Sequence, residues 1–128
     1  MDKALARQRS LGYPIARLQM QQHATVDGLE MANGVMDWDW LNKQLGGVQL
    51  LLLANCAGGS VASCVRGVPY VITLDERIGP PDASALVWQF WYGIGSGLEP
   101  PDALERSLTG CAGEVREMVR GAGEGVRG

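Results

Sequence analysis

The apolar and polar positions divide the chain into short alternating elements. Ile15, Arg17, Gln19 and Gln21 alternate with Ala16, Leu18, Met20 and Gln22, the period of two expected of a strand with one apolar face. After His23, two short apolar segments flank Asn33-Gly34, a pair that tolerates positive φ and predicts a hairpin. Asp37 or Asp39 is placed to cap a short helix carrying Trp38, Leu41 and Leu45, ended by Gly46-Gly47. Val48 to Asn55 is almost continuously apolar, as in a strand buried on both faces of a parallel sheet. Ser60 to Arg66 fits a short helix closed by Gly67, and Pro69 to Leu74 fits a β-branched strand bounded by Asp75-Glu76.

Farther on, Asp82 is placed to cap a helix in which Ala83, Leu86, Val87, Phe90, Trp91 and Ile94 form an apolar stripe. Phe90 and Trp91 are expected beneath the sheet. Pro100-Pro101 open a last helix with Leu104, Leu108, Cys111, Val115 and Met118 on one face. Residues 1–14 read as an N-terminal segment, and Gly121 to Gly128 as a glycine-rich flexible tail. Strands alternating with helices predict an α/β fold with a parallel sheet, in a single domain spanning residues 1–128. There are no internal repeats.

Composition narrows the classes of function. The formal net charge is −3, which gives no electrostatic footing for nucleic acid. Local basicity at Lys3, Arg7, Arg9 and Arg17 reads as a solvated helix or tail. The longest apolar run, Val48 to Ala54, is too short to span a bilayer, so no membrane association is expected. Cysteines at 56, 64 and 111 lack metal-ligand spacing and imply free thiols in a reducing, cytoplasmic setting. No metal or cofactor is expected. Cys64 and Cys111 occupy apolar helical positions and read as packing residues, as do Trp38, Trp40, Trp88 and Trp91.

The chemistry concentrates on His23, the single histidine, and Cys56. Each follows a predicted strand, so adjacent parallel strands would present both side chains at their carboxyl ends, where α/β sheets bind ligands. A thiol activated by an imidazole is a nucleophile. The Cys56 amide is placed to stabilise an oxyanion, and Gly58, in Ala57-Gly58-Gly59, allows a substrate backbone to approach. Asp75 and Glu76, at the same edge, are candidates to bind a basic substrate side chain or are solvated loop residues. Cys56 itself reads either as a nucleophile or as a small buried hydrophobe at a strand end. Three rival motifs fail on particular residues. An α/β-hydrolase needs a histidine after its nucleophile, and none follows Cys56. A phosphatase loop needs arginine where Ala62 stands, and the turn after Asn55 lacks the three-glycine dinucleotide spacing.

The segment from His23 to Gly34, a short helix, and then Leu50 to Cys56 resembles the core of caspase-like CHAT domains. So do Arg66 to Leu74, Pro81-Asp82-Ala83, Phe90-Trp91-Tyr92 and Gly97 to Leu104, in the same order; the resemblance covers about Arg17 to Leu108. It implies a caspase-like parallel-sheet fold, three-layer α/β/α or half of it. It also implies that His23 is general base and Cys56 nucleophile, with the amides of Ala24 and Cys56 as oxyanion donors. Such domains are often peptidases in bacterial signalling or defence. Ala24 stands where the family commonly has glycine, and Ala54 where metacaspase-like members carry aspartate. The family fold has two strands and a helix before the histidine strand, more than 14 residues supply, so a truncated or minimal version is expected. Two functions follow as expectations. One is a cysteine endopeptidase acting on a protein or peptide substrate. The other is a non-catalytic pseudo-peptidase module that forms a homo-oligomer or docks a partner through an open sheet edge.

Overall fold

A computed structural model describes residues 17–123 of the chain. The predicted N-terminal segment, Ile15 and Ala16 of the first predicted strand, and residues 124–128 of the predicted tail lie outside the described residues. The elements are β1 (Arg17–Met20), β2 (Ala24–Thr25), β3 (Gly28–Met31), β4 (Gly34–Asp37), α1 (Trp38–Gln44), β5 (Leu50–Cys56), a 3₁₀ turn η1 (Gly59–Cys64), β6 (Tyr70–Asp75), α2 (Pro80–Gly95), α3 (Pro100–Leu108), α4 (Gly113–Glu117) and β7 (Val119–Gly123).

Leu50 to Leu53 of β5 are at most 3% exposed, and this strand organises the sheet. β1 lies parallel to it (Arg17↔Leu50 to Met20↔Leu53), β2 continues along the same flank (Ala24↔Cys56), and β6 lies parallel on the other (Leu50↔Tyr70 to Cys56↔Asp75). The full order is β4-β3-β2-β5-β6-β7, with β1 beside β5. Side-chain alternation sends Leu51 and Leu53 toward α1 and η1, where they pack with Trp38, Leu41, Leu45 and Val61. Leu50 and Leu52 face the other layer, with Leu86, Phe90, Ile94, Ala103 and Val115 of α2, α3 and α4. Helices on both faces make this a three-layer α/β/α arrangement. No helix among the described residues is long and apolar enough to cross a membrane.

The sheet is mixed: its β1-β5-β6 core is parallel as expected, β3-β4 is the predicted Asn33-Gly34 hairpin, and the β2-β3 and β6-β7 pairs are antiparallel additions. β7 covers Val119 to Gly123, so the predicted last helix and flexible tail are corrected at once. That helix is two helices, because Gly110 takes φ +91, a left-handed turn no helix interior accommodates. The predicted helix over Ser60–Arg66 is the 3₁₀ turn η1, and α2 starts at Pro80, with Gly79 rather than Asp82 at its cap. Asp37 does cap α1, accepting from the Trp40 amide at 2.9 Å.

Packing of the aromatic residues divides. Phe90 is 1% exposed beneath the sheet, and Trp91 is half-buried with its Nε1 donating to Gln19 Oε1 at 2.6 Å. Trp38 is buried and ties α1 to β2 by donating to the Thr25 carbonyl at 2.7 Å. Trp40 and Trp88 are exposed, which corrects their assignment to the core.

Two glycines of similar backbone conformation should differ sharply on substitution. Gly28 (φ +147) closes the β2-β3 hairpin, and a Cβ there would meet the Met36 carbonyl oxygen at 2.1 Å. Gly34 (φ +128) opens β4 with nothing within 4 Å of its Cβ position. Urea denaturation should therefore show Gly28→Ala to be far more destabilising than Gly34→Ala, which carries only backbone strain of roughly 1–3 kcal/mol. Equal losses would contradict this hairpin geometry. In the same assay Phe90→Ala should cost roughly 3–5 kcal/mol.

Candidate functional site

The carboxyl ends of β1, β2, β5 and β6 converge on one edge of the sheet, and the predicted site residues lie there. His23 sits between β1 and β2, immediately before Ala24, which pairs with Cys56 on β5. The Ala57 amide donates to the Ala24 carbonyl, and the Glu76 amide to the Cys56 carbonyl, each at 2.8 Å. The backbone thus brings His23, Cys56 and the Asp75-Glu76 pair to the same edge on successive strands, as their order in the sequence suggested.

The side chains are arranged differently. β5 advances three residues, Leu53 to Cys56, while β6 advances two, Thr73 to Asp75. This bulge breaks the alternation, because one extra residue rotates everything after it to the opposite face. Ala54 packs with the α2 layer, whereas Cys56 joins Met20, Leu29 and Val61 in the α1 layer. The thiol is fully buried there and donates weakly to the Leu53 carbonyl at 3.5 Å. Of the two readings of Cys56, this position matches the small buried hydrophobe at a strand end and not the thiol presented at the sheet edge. Burial pushes the Cys56 pKa up to about 12, the nearby charges of Asp75 and Glu76 acting in the same direction. At neutral pH the group is a thiol and not a thiolate.

His23 is engaged elsewhere. Its Nδ1 pairs with Glu30 Oε1 and its Nε2 with Glu76 Oε2. Two carboxylate acceptors require a proton on each ring nitrogen, so this arrangement holds the imidazolium. The pKa rises from its ordinary value, first through the hydrogen bond to Glu30 and then through that to Glu76, with desolvation opposing. The imidazole is 30% exposed and the carboxylates 50% and 46%, so water screens the bridge. Among the described contacts, His23 makes no hydrogen bond to Cys56. Its ring instead links the β2-β3 hairpin to the end of β6.

The remaining predicted groups are also committed. Ala24 and Cys56 lie within the β2-β5-β6 ladder, so their amides are sheet amides and do not form an open oxyanion hole. Asp75 binds Arg77 through both carboxylate oxygens, Oδ1 to Nε and Oδ2 to Nη2, each at 3.0 Å. That hydrogen bonding to Arg77 holds the Asp75 carboxyl below its ordinary range. Gly58 takes φ +93 where β5 turns into η1, and the space before its Cβ position is open. Cys64 and Cys111 are half-buried rather than enclosed, with each sulfur near backbone carbonyls at 3.7–3.8 Å. No group of three His, Cys, Asp or Glu residues among the described residues is disposed to hold a metal ion.

Glu30 and Arg77 are the site residues that the sequence did not single out. A signal for Glu30 was present: Asp27-Gly28 is a hairpin pair like Asn33-Gly34. Folding β2 onto β3 about that turn sets His23 opposite Glu30, whose amide donates to the His23 carbonyl at 2.8 Å. Comparisons with family models, curated proteins and solved structures find no match.

The bridge has a pH signature whose sign follows from linkage. A raised folded-state pKa means that the bridge contributes fully below the unfolded value of 6.5 and is lost as pH rises through the folded value. His23→Gln should therefore destabilise the protein more at pH 5.5 than at pH 9, by about the difference linkage requires. NMR titration of the imidazole should give a pKa above 6.5, lowered by either Glu30→Gln or Glu76→Gln. A value at or below 6.5, unchanged in both variants, would mean that the bridge is absent in solution.

Proposed function

We propose that this chain is a caspase-like domain of the CHAT type whose cysteine centre is silent, and that it works as a non-catalytic interaction module. The observation that carries this reading is the position of Cys56. Its thiol points into the α1 layer, protonated and fully enclosed, while the only histidine is held by Glu30 and Glu76. A nucleophile must reach both its base and its substrate, and this thiol reaches neither. The groups that would assist it are engaged as well: Ala24 and Cys56 amides in the ladder, Asp75 with Arg77, Glu76 with His23.

A second reading, a cysteine endopeptidase at rest, draws on the pairing of Ala24 with Cys56. That pairing keeps His23 and Cys56 on adjacent strands at the sheet edge where α/β folds place their chemistry. For catalysis the β5 bulge would have to relax and turn Cys56 out, and the imidazole would have to exchange two carboxylates for a thiol. Either change requires a binding event that stabilises the rearranged state by more than these contacts hold the present one.

Thiol reactivity separates the two. Limited iodoacetamide at neutral pH should label Cys64 and Cys111 before Cys56, with peptide mapping giving the order. His23→Ala should leave the Cys56 rate unchanged, and Cys56→Ala should not alter turnover of a fluorogenic peptide library. Rapid labelling of Cys56 that depends on His23, with cleavage lost in Cys56→Ala, would replace the interaction module with the peptidase.

A further inference from the structure

A mostly apolar groove lies on the α2 side of β1. β1 pairs with β5 along one flank, and among the described residues nothing pairs with its other flank, since the β3-β4 hairpin continues from β2. α2 lies over this strand, fixed by the Trp91 to Gln19 hydrogen bond. Beside it Trp88 and Tyr92, 66% and 58% exposed, stack with centroids 5.3 Å apart and planes 14° from parallel. These rings, Val87 and Trp91 border the open groove, which has a volume of about 590 Å³ and reaches Gln21 and Ala54. A strand edge is a template for pairing with another chain and contiguous exposed aromatic surface marks a contact site, and here the two adjoin.

We infer that this β1 edge and the Trp88-Tyr92 shelf together form a twofold interface to a second copy of this chain, an inference that rests on the interaction-module reading. Self-pairing meets no charge repulsion at this patch. A twofold contact sets the same patch of both subunits face to face, so any charge near the axis meets its own like. The groove residues are uncharged, in a chain whose net charge is −3, and the one charged residue of β1 is Arg17, at its end. Antiparallel pairing of β1 with its copy, centred between Leu18 and Gln19, sets Arg17 opposite Met20. The two guanidinium groups then lie at opposite ends of the new ladder, and the sheet continues across the axis. With α2 over β1 in each copy, the two aromatic shelves lie on the same face of that sheet and meet near the axis.

Sedimentation velocity of the full chain at micromolar concentration should show a dimer. Trp88→Glu with Tyr92→Ser should weaken it roughly 30-fold or more, the loss expected for a hot-spot aromatic. Far-ultraviolet circular dichroism should stay native, because both side chains are exposed. Trp40→Glu changes another exposed tryptophan, on α1 across the sheet, and should leave the dimer intact. A wild-type monomer would overturn the inference, including one in which the chain's own first 16 residues cover the shelf and protect Trp88 from acrylamide quenching. A dimer indifferent to the Trp88 and Tyr92 changes would overturn it too. The outcome is separable from the test of function. A monomer with inert Cys56 removes only this interface, and a shelf-dependent dimer with reactive Cys56 removes only the non-catalytic reading.

Discussion

Everything in this molecule is hung on β5, a seven-residue strand of which four consecutive leucines are buried. Burial on both faces means that alternate leucines nucleate two separate cores, one under α1 and η1 and one under α2, α3 and α4. Each leucine that is fully buried contributes on the order of 2 kcal/mol of hydrophobic stabilisation. The strand also supplies backbone partners to β1 and β2 on one side and β6 on the other. Neither helical layer could dock without it.

The same strand decides the chemistry of the candidate site, through a single extra residue. The bulge between Leu53 and Cys56 turns the thiol from the α2 side to the α1 side, so a residue whose backbone reaches the sheet edge has a side chain in the core. Desolvation is then the largest cause of its raised pKa. Bulges are common beside functional sites because they re-aim one side chain without moving the rest of the ladder. Here the re-aiming encloses the sulfur.

The Glu30-His23-Glu76 bridge is the polar counterpart of that enclosure. It crosses the end of the sheet, linking a hairpin strand to the loop after β6, and it uses both nitrogens of the only imidazole. The imidazole and both of its carboxylates are thereby committed to one another. The β1 edge, unpaired among the described residues, and the exposed Trp88-Tyr92 stack lie on the α2 side of the sheet, opposite the layer that encloses the Cys56 sulfur.

The sequence alone determined the elements whose signals are local. The apolar run of β5, the strand at Tyr70–Asp75, the Asp37 cap, the Asn33-Gly34 hairpin and the Phe90 face of α2 are all legible from side-chain type and period. The relation of His23 to Cys56 along the backbone was legible too, since strand order in an α/β sheet constrains which carboxyl ends meet. The caspase-like specifics remain the proposal set out above. What only the tertiary structure decided are the features that depend on neighbours distant in sequence. β7 is a strand because β6 offers it an edge, although its glycines favour no regular structure. Trp88 and Trp40 share an amino-acid type with buried Trp38, and only the packing of their helices distinguishes them. The orientation of Cys56 turned on a register shift between β5 and β6, which no pattern within either strand encodes, because a bulge is a property of the pair.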